Sequence, residues 1–337
     1  MRIGVTTNHP QTPDHLVGSK WTALDVEDKR RHWEVVAYAS DSGDVTLEAV
    51  IDGHRKQIPW RDLRDRQRWQ TGWVSGEDSR KPTVVLLHGL FGDARDWEPI
   101  EEGLAESLRV VTVDLPGHGQ RSDELPGDDV PVDLDYMVQD VDRVVSELGG
   151  ESISMAGYSM GGRVAMAYAL RCPTRVDRLV LESASPGIEG DRERAERTEL
   201  DDRRAQRILD EGLEAFLAGW YRADLFGGLR ERPEFDELMV RRCQQKDAAM
   251  ARIIRQMSPG RQTSRWERLN GLDVPTLWLA GARDEKYVGI VRRASDQMPQ
   301  SEYAVAEGSG HTVHIERPEW WCDQVTSWVS AVEAPSG

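Results

Sequence analysis

The chain of 337 residues has only three cysteines, Cys172, Cys243 and Cys322, widely separated and odd in number. That excludes a disulfide framework and offers no spacing for a structural zinc site. It suits a reducing compartment, so the expected location is the cytoplasm. Long apolar runs are missing as well. No stretch approaches the roughly 20 apolar residues that a membrane-spanning helix needs. The opening MRIGVTTNHPQTPD lacks the charged-then-apolar layout of a secretory signal. Lysine is scarce, with six of the 43 basic residues, the rest being arginine. Against 59 acidic residues this leaves a formal charge of −16, which repels nucleic acid and anionic membrane. Both an ordinary acidic enzyme from a GC-rich genome and a protein of a salt-rich cytoplasm fit that balance. Neither a Walker loop nor a Gly-x-Gly-x-x-Gly after a strand is found, so no nucleotide cofactor is expected.

What is present suits one large domain preceded by something minor, and a hydrophobic content of 39% is enough for a packed interior. Residues 1–17 are expected to be a flexible leader. Residues 18–75 form a separate unit holding Trp21, Trp33, Trp60, Trp69 and Trp73. Within it HWEVVAYAS, a turn at DSGD and VTLEAVIDG read as two alternating strands in a hairpin. IPWRDLRDRQRWQTGW reads as a strand end followed by a short helical or irregular closure. The plain expectation for the five indoles is that they make the unit's core, each N–H needing a partner. On SKWTA, HW, LEAVIDG, IPWRDLRD and RWQTGW the segment resembles a small tryptophan-rich bacterial domain of unknown function, which implies no activity. GEDSRKP at 76–82 is the expected linker.

From Thr83 to about residue 330, short apolar runs alternate with helical patterns, which predicts an α/β domain with a parallel sheet and crossover helices. TVVLLHG and RVVTVDLPGHG are buried strands. VDLDYMVQDVDRVVSELGG is an amphipathic helix stopped by glycines, and SISMAGYSMGGRVAMAYALRC reads as strand, sharp turn, helix. DRLVLESASPG, PTLWLAGARDE and SEYAVAEGSGH are further strands, and a terminal helix starts at Pro318. Between about 187 and 260 the alternation stops. There LDEGLEAFLAGWY places Leu213, Phe216, Leu217 and Trp220 on one helical face. Such an insertion predicts a helical cap over the C-terminal strand ends, where open α/β sheets bind ligands.

The chemistry centres on Gly157-Tyr158-Ser159-Met160-Gly161, set between an apolar strand and a helix and followed by Gly162. A strained nucleophile elbow needs small residues two before and two after the serine, because the turn leaves no room for larger side chains there. A serine hydroxyl becomes reactive only when a histidine takes its proton and an acid orients that histidine. The order serine, acid, histidine selects Asp284, at the end of TLWLAGARD, and His311 in GSGHTVH. Glu182 is the substitute acid, and His314 is expected to be a helix-start or packing residue. The backbone N–H groups of Leu90 and Met160 are the expected oxyanion hole. His88 and His118 are expected to shape loops. This pattern defines an α/β-hydrolase without naming its substrate.

GYSMGGR, ESASPG with RERAER, FLAGWY and GHTVHIERP together resemble the 2-succinyl-6-hydroxy-2,4-cyclohexadiene-1-carboxylate synthases of menaquinone biosynthesis, from about Thr83 to Val329, cap included. The resemblance implies elimination of pyruvate from 2-succinyl-5-enolpyruvyl-6-hydroxy-3-cyclohexene-1-carboxylate without a metal or organic cofactor. It implies a substrate pocket formed by Tyr158, Arg163, Arg197, Trp220 and Arg242, with Arg194 and Arg241 as neighbours that could replace two of them. Arginine suits a tricarboxylate because its fork makes two parallel hydrogen bonds to one carboxylate. The members of this family are usually a lone hydrolase domain; the tryptophan-rich unit here could dock on the core, self-associate or bind a pathway protein. Two readings compete. A serine carboxylesterase or carbon–carbon hydrolase would use the same three residues under an apolar cap. A non-catalytic binding protein would have an inert fold and a recruiting N-terminal unit.

Overall fold

The computed structural model describes residues 16–27, 30–64, 68–71, 81–148 and 152–330. The chain divides into two compact units that part at Lys81–Pro82, with the short stretch Val144–Glu151 grouped with the first.

The small unit is a five-stranded antiparallel sheet. Its strands are β1 (Lys20–Glu27), β2 (Arg30–Ala39), β3 (Asp44–Ala49), β4 (Arg55–Pro59) and β5 (Trp69–Thr71). They lie in the order β4-β3-β2-β1-β5. The hairpin read from the sequence is β2–β3, paired from Trp33↔Ala49 to Ala39↔Asp44. A 3-10 turn at Trp60–Arg64 supplies the expected closure. Strands β1 and β5 escaped the sequence reading, since β5 has three residues and no alternation to detect. Trp21, Trp33 and Trp69 lie in the core with Val35, Val45 and Leu47, and Trp60 packs against it. Trp21 Nε1–H donates to Ser19 Oγ and Trp33 Nε1–H to the Arg30 carbonyl, so these buried indoles keep their polar contacts. Trp73 and most of the proposed linker lie outside the described residues. One boundary is corrected. The leader was expected to run to residue 17, but Leu16 is fully buried in this core and its carbonyl accepts from Ser19 Oγ–H at 2.5 Å. The apolar side chain has a core to enter, so order begins before the first strand. Residues 1–15 lie outside the described residues.

The large unit is a six-stranded parallel sheet with helices on its faces. Strand β6 (Thr83–Leu87) leads through α1 (Glu98–Ala105) to β7 (Arg109–Val113). Helix α2 (Leu134–Glu147) precedes β8 (Ile153–Tyr158), which turns sharply into α3 (Met160–Arg171) and then β9 (Val176–Glu182). The cap follows as α4 (Asp191–Glu211), α5 (Leu213–Trp220), α6 (Gly227–Arg230), α7 (Phe235–Cys243) and α8 (Asp247–Gln256). The chain re-enters the sheet at β10 (Thr276–Gly281) and continues through α9 (Glu285–Asp296) to β11 (Ser301–Ala306). It ends with the single turn α10 (Val313–Glu316) and with α11 (Pro318–Ser330). Strands β8 and β10 are buried at every position, which is why they read as continuous apolar runs. Among the described residues no helix is long and apolar enough to cross a membrane.

The sheet order is β11-β10-β9-β8-β6-β7. After β6 the chain goes to one side for β7 and returns to the other for β8. A crevice therefore opens between the C-terminal ends of β6 and β8, the topological switch point at which ligands bind in such sheets. In the cap, LDEGLEAFLAGWY is not one helix. Gly212, at φ +82°, ends α4 and starts α5, a left-handed conformation that glycine adopts at no steric cost. Leu213, Phe216 and Leu217 of α5 are buried.

Candidate active site

Ser159 sits at the turn from β8 into α3 with φ 51° and ψ −106°, a conformation that costs a non-glycine residue about 1–3 kcal/mol. The turn holds because the residues two before and two after the serine, Gly157 and Gly161, have no side chains. A Cβ on Gly161 would lie 2.2 Å from the Leu87 carbonyl oxygen, and one on Gly157 would lie 2.5 Å from that of Gly161. Only glycine at both places lets β6, β8 and α3 approach this closely.

From that turn a hydrogen-bonded chain runs inward. His311 Nε2 is 3.2 Å from Ser159 Oγ, and His311 Nδ1 is 2.6 Å from Asp284 Oδ2. Asp284 and His311 are both buried, and Asp284 also accepts the Tyr287 N–H while capping α9. Residues 152 positions apart in sequence thus meet because each ends or follows a neighbouring strand. With Nδ1–H donated to the carboxylate, Nε2 is left as the acceptor facing the hydroxyl. Glu182 does not reach His311. Its carboxylate takes His314 Nδ1 at 2.9 Å and Trp321 Nε1–H at 2.8 Å, in a fully buried network behind the site.

The two residues expected to supply the oxyanion hole, Leu90 and Met160, flank the elbow in the loop after β6 and in the first turn of α3. Met160 is the first residue of α3, so its N–H has no intrahelical acceptor. The loop carrying Leu90 lies against the elbow: a Cβ on Gly89 would come within 3.6 Å of Ser159 Cβ. His88 braces that loop, pairing through Nδ1 with the Gly89 carbonyl at 2.8 Å and accepting the Leu115 N–H at Nε2 at 3.0 Å. Next to it Phe91 has φ 65°, and its carbonyl accepts Gln245 Nε2–H from the cap at 2.6 Å. Among the described residues the non-glycine positions with positive φ are Phe91, Ser159 and Ser183. Ser183 Oγ–H donates to the His311 carbonyl at 2.9 Å, so all three strained residues border this one site.

Aromatic rings enclose His311. Tyr158, Tyr287 and Phe226 pack on it edge-on, with centroids 5.4, 4.7 and 5.8 Å away. Burial, then the Glu182 charge, raises the Tyr158 phenol well above its usual pKa, keeping it a proton donor. Trp220 touches Phe91, Phe216 and Phe226, which links the cap to the rings around His311.

The arginines divide into two groups. Arg163, half-buried in the first turn of α3, donates to the Met257 carbonyl at 2.9 Å. Burial and the nearby Arg197 push its guanidinium down to about 10, still cationic at neutral pH. Arg197 and Arg204 share the buried Asp201 at 2.7 and 2.8 Å, and Ser258 Oγ–H donates to the same carboxylate. Lys286 is lowered by burial and by Arg197, so it belongs to this positive group. Arg242 lies elsewhere. It is buried, bound to Asp96 at 2.9 Å and placed over the Tyr221 ring, near enough for its charge to act on Tyr158. Arg241 pairs with Asp96 and Asp93, and Arg194 with Asp191. The sequence reading missed Asp96 and Asp201 as the partners of these arginines, and Phe226, Tyr287 and Lys286 as neighbours of the relay. For Lys286 and Tyr287 the signal was present, two and three residues after Asp284 on the helix it caps. Among the described residues no cluster of three or more His, Cys, Asp or Glu side chains is placed to hold a metal ion.

Parallel sheet, elbow and buried acid–imidazole pair define a class: the chain belongs to the alpha/beta hydrolase family, whose model matches residues 84–324. Residues 19–74 match a second family, described as tryptophan-rich protein (DUF2389). Within the hydrolases the chain belongs with the 2-succinyl-6-hydroxy-2,4-cyclohexadiene-1-carboxylate synthases. The protein of that name from Pectobacterium atrosepticum is 31% identical over 253 residues, spanning 74% of this chain and 94% of its own. Protein PHYLLO, chloroplastic, of Arabidopsis thaliana is 30% identical over 256 residues, 72% of this chain and 15% of that protein. The solved structure of MenH from S. aureus superposes with a TM-score of 0.70 at 33% identity, covering 74% of this chain and 93% of that one.

Proposed function

We propose that the protein eliminates pyruvate from 2-succinyl-5-enolpyruvyl-6-hydroxy-3-cyclohexene-1-carboxylate, forming 2-succinyl-6-hydroxy-2,4-cyclohexadiene-1-carboxylate for menaquinone synthesis in the cytoplasm. The observation that carries the reading is the match to relatives named for that product, which spans 94% of the Pectobacterium protein. It therefore includes the cap, the part of such folds that selects substrate.

In this reading Ser159, His311 and Asp284 move a proton and no acyl-enzyme forms. His311 Nε2 accepts the Ser159 hydroxyl proton as Ser159 Oγ takes the ring proton α to the succinyl ketone. The electron pair left behind forms the C2–C3 double bond, the ring double bond shifts to C4–C5, and the C5–O bond breaks. The leaving enolpyruvate takes up a proton and becomes pyruvate. While charge sits on the ketone oxygen, the N–H groups of Leu90 and Met160 stabilise it, each such donor being worth about 3–4 kcal/mol in comparable sites. Asp284 holds the imidazole tautomer and stabilises the cation that His311 briefly becomes. The substrate carries three carboxylates. Arg163 and Arg197, with Lys286 beside them, would bind at one side, and Arg242 would act from the Tyr158 side. Trp220 and Tyr158 would wall the ring.

The test is direct. The purified protein, given the succinyl-enolpyruvyl substrate, should release one pyruvate per ring product. Brisk hydrolysis of p-nitrophenyl esters without pyruvate would overturn this reading in favour of an esterase. An esterase reading has one point of support, a likeness to a thermophilic esterase from Thermogutta terrifontis at 26% identity and TM-score 0.63.

A further inference from the structure

We infer that Glu316 is a positioning residue for this reaction: its carboxylate grips both residues flanking His311 and so sets where the imidazole meets Ser159. The inference rests on His311 having the role given above.

His311 stands in a short irregular segment between the end of β11 at Ala306 and the start of α10 at Val313. Such a segment has no ladder of its own to fix it, and loops of this kind drift unless side chains tie them down. Here one side chain does most of the tying. Glu316 is nearly buried, at 7% exposure. Its Oε2 accepts the Gly310 N–H at 2.8 Å. Its Oε1 accepts both the Thr312 N–H at 3.2 Å and the Thr312 Oγ1–H at 2.7 Å. The peptide groups of His311 itself are held from elsewhere: its N–H donates to the Leu225 carbonyl at 3.0 Å, and its carbonyl accepts from Ser183 Oγ–H. The backbone is thus pinned before, at and after the working residue.

The chemistry of the three Glu316 contacts requires a carboxylate. All of them are donors, and an ionised carboxylate is acceptor-only with room for several hydrogen bonds. An amide of the same shape must turn its NH2 toward at least one of these donors. The pocket for the carboxylate is also tight. A Cβ on Gly228 of α6 would sit 1.8 Å from Glu316 Oε2, and a Cβ on Gly310 would sit 3.3 Å from Oε1. Glycine in the cap and glycine in the loop leave the space that Glu316 fills.

The experiment compares the full-length protein with Glu316→Gln and with Thr312→Val, which deletes only the hydroxyl contact. Pyruvate release gives kcat and KM, and the rate at which a fluorophosphonate labels Ser159 gives the reactivity of the hydroxyl independently of substrate. Thermal melts of each variant give the folded fraction for normalisation. Per folded molecule, Glu316→Gln is expected to lose about 10- to 100-fold in kcat and in labelling rate with KM little changed, as a misplaced catalytic group does. Thr312→Val should lose less in both. Wild-type kcat and labelling per folded Glu316→Gln molecule would overturn the inference, as would a loss confined to KM. Should the wild type be labelled yet release no pyruvate, the proposed function fails and the labelling rates alone decide Glu316.

Discussion

At the scale of single residues, the proposed mechanism separates groups that move the proton from groups that hold the substrate, and kinetics should separate them likewise. Ser159→Ala and His311→Ala are expected to cut kcat for pyruvate release by about a thousandfold or more, because members of such a relay act as a unit. Arg163→Ala should act mainly on KM. Arg163→Lys should recover part of the charge but not the forked geometry, leaving KM well above wild type. An Arg163→Ala enzyme with wild-type KM would remove Arg163 from the pocket. The relay was legible in the sequence because Ser159, Asp284 and His311 each carry a local signature tied to a strand end. The arginines were only half legible. Sequence counts guanidiniums but not their partners. The carboxylates that engage Arg197 and Arg242, Asp201 and Asp96, differ in kind: one is four residues away on the same helix, the other 146 residues away on a different element.

At the scale of elements, the loop after β7 is tied down by one buried arginine, which pairs with both Asp140 and Glu124. Arg121 forks onto Asp140 of α2 at 2.6 and 2.8 Å and also donates to the Asp114 carbonyl. Burial raises the Asp140 carboxyl, but its bonds to Arg121 and Arg143 outweigh this and hold it below the usual range. A depressed native pKa means that the stabilisation is fully present above the unfolded value of about 3.9 and is lost as pH falls through the native one. Asp140→Asn should therefore cost about 1–3 kcal/mol at neutral pH, by removing the buried partner of Arg121 and leaving it only the half-exposed Glu124, at 2.6 Å, as counter-charge. The difference from wild type should shrink in acid below about pH 4. Denaturant melts across pH check both statements, and a penalty unchanged by acid would exclude this account. Most elements of the large unit were readable from periodicity, β8 and β10 as unbroken apolar runs and α2 as an amphipathic stretch. Gly212 was not. A glycine inside an otherwise helical pattern reads as tolerable, and only the positive φ required by the turn between α4 and α5 makes it a boundary. Strand β5 was invisible for another reason, its pairing with β1 at Trp21↔Thr71 being a tertiary fact.

At the scale of the whole molecule, two properties invite measurement. The first is the net charge of −16, which would repel the proposed trianionic substrate at long range while the arginines proposed for its pocket attract it at contact. Salt screens the distant repulsion more than it screens half-buried contacts. Raising ionic strength from about 0.01 to about 0.15 M should therefore raise kcat/KM. A steep fall would show that attraction already governs the approach. The second is the tryptophan-rich unit. Family models match residues 19–74 and 84–324 separately, and the synthase relatives match the hydrolase part nearly end to end. Removal of residues 1–75 is expected to leave kcat and KM within a few-fold of the full chain. Loss of all turnover in a still-folded truncation would make the unit part of the enzyme.

The His311 amide hands its hydrogen to Leu225, a residue of the cap and not of the sheet. The roof over the cleft is therefore also a fixture of the machinery beneath it. Any descendant or design that trades this roof for another, in pursuit of a new substrate, must bring a carbonyl oxygen back to that same point or leave its imidazole adrift.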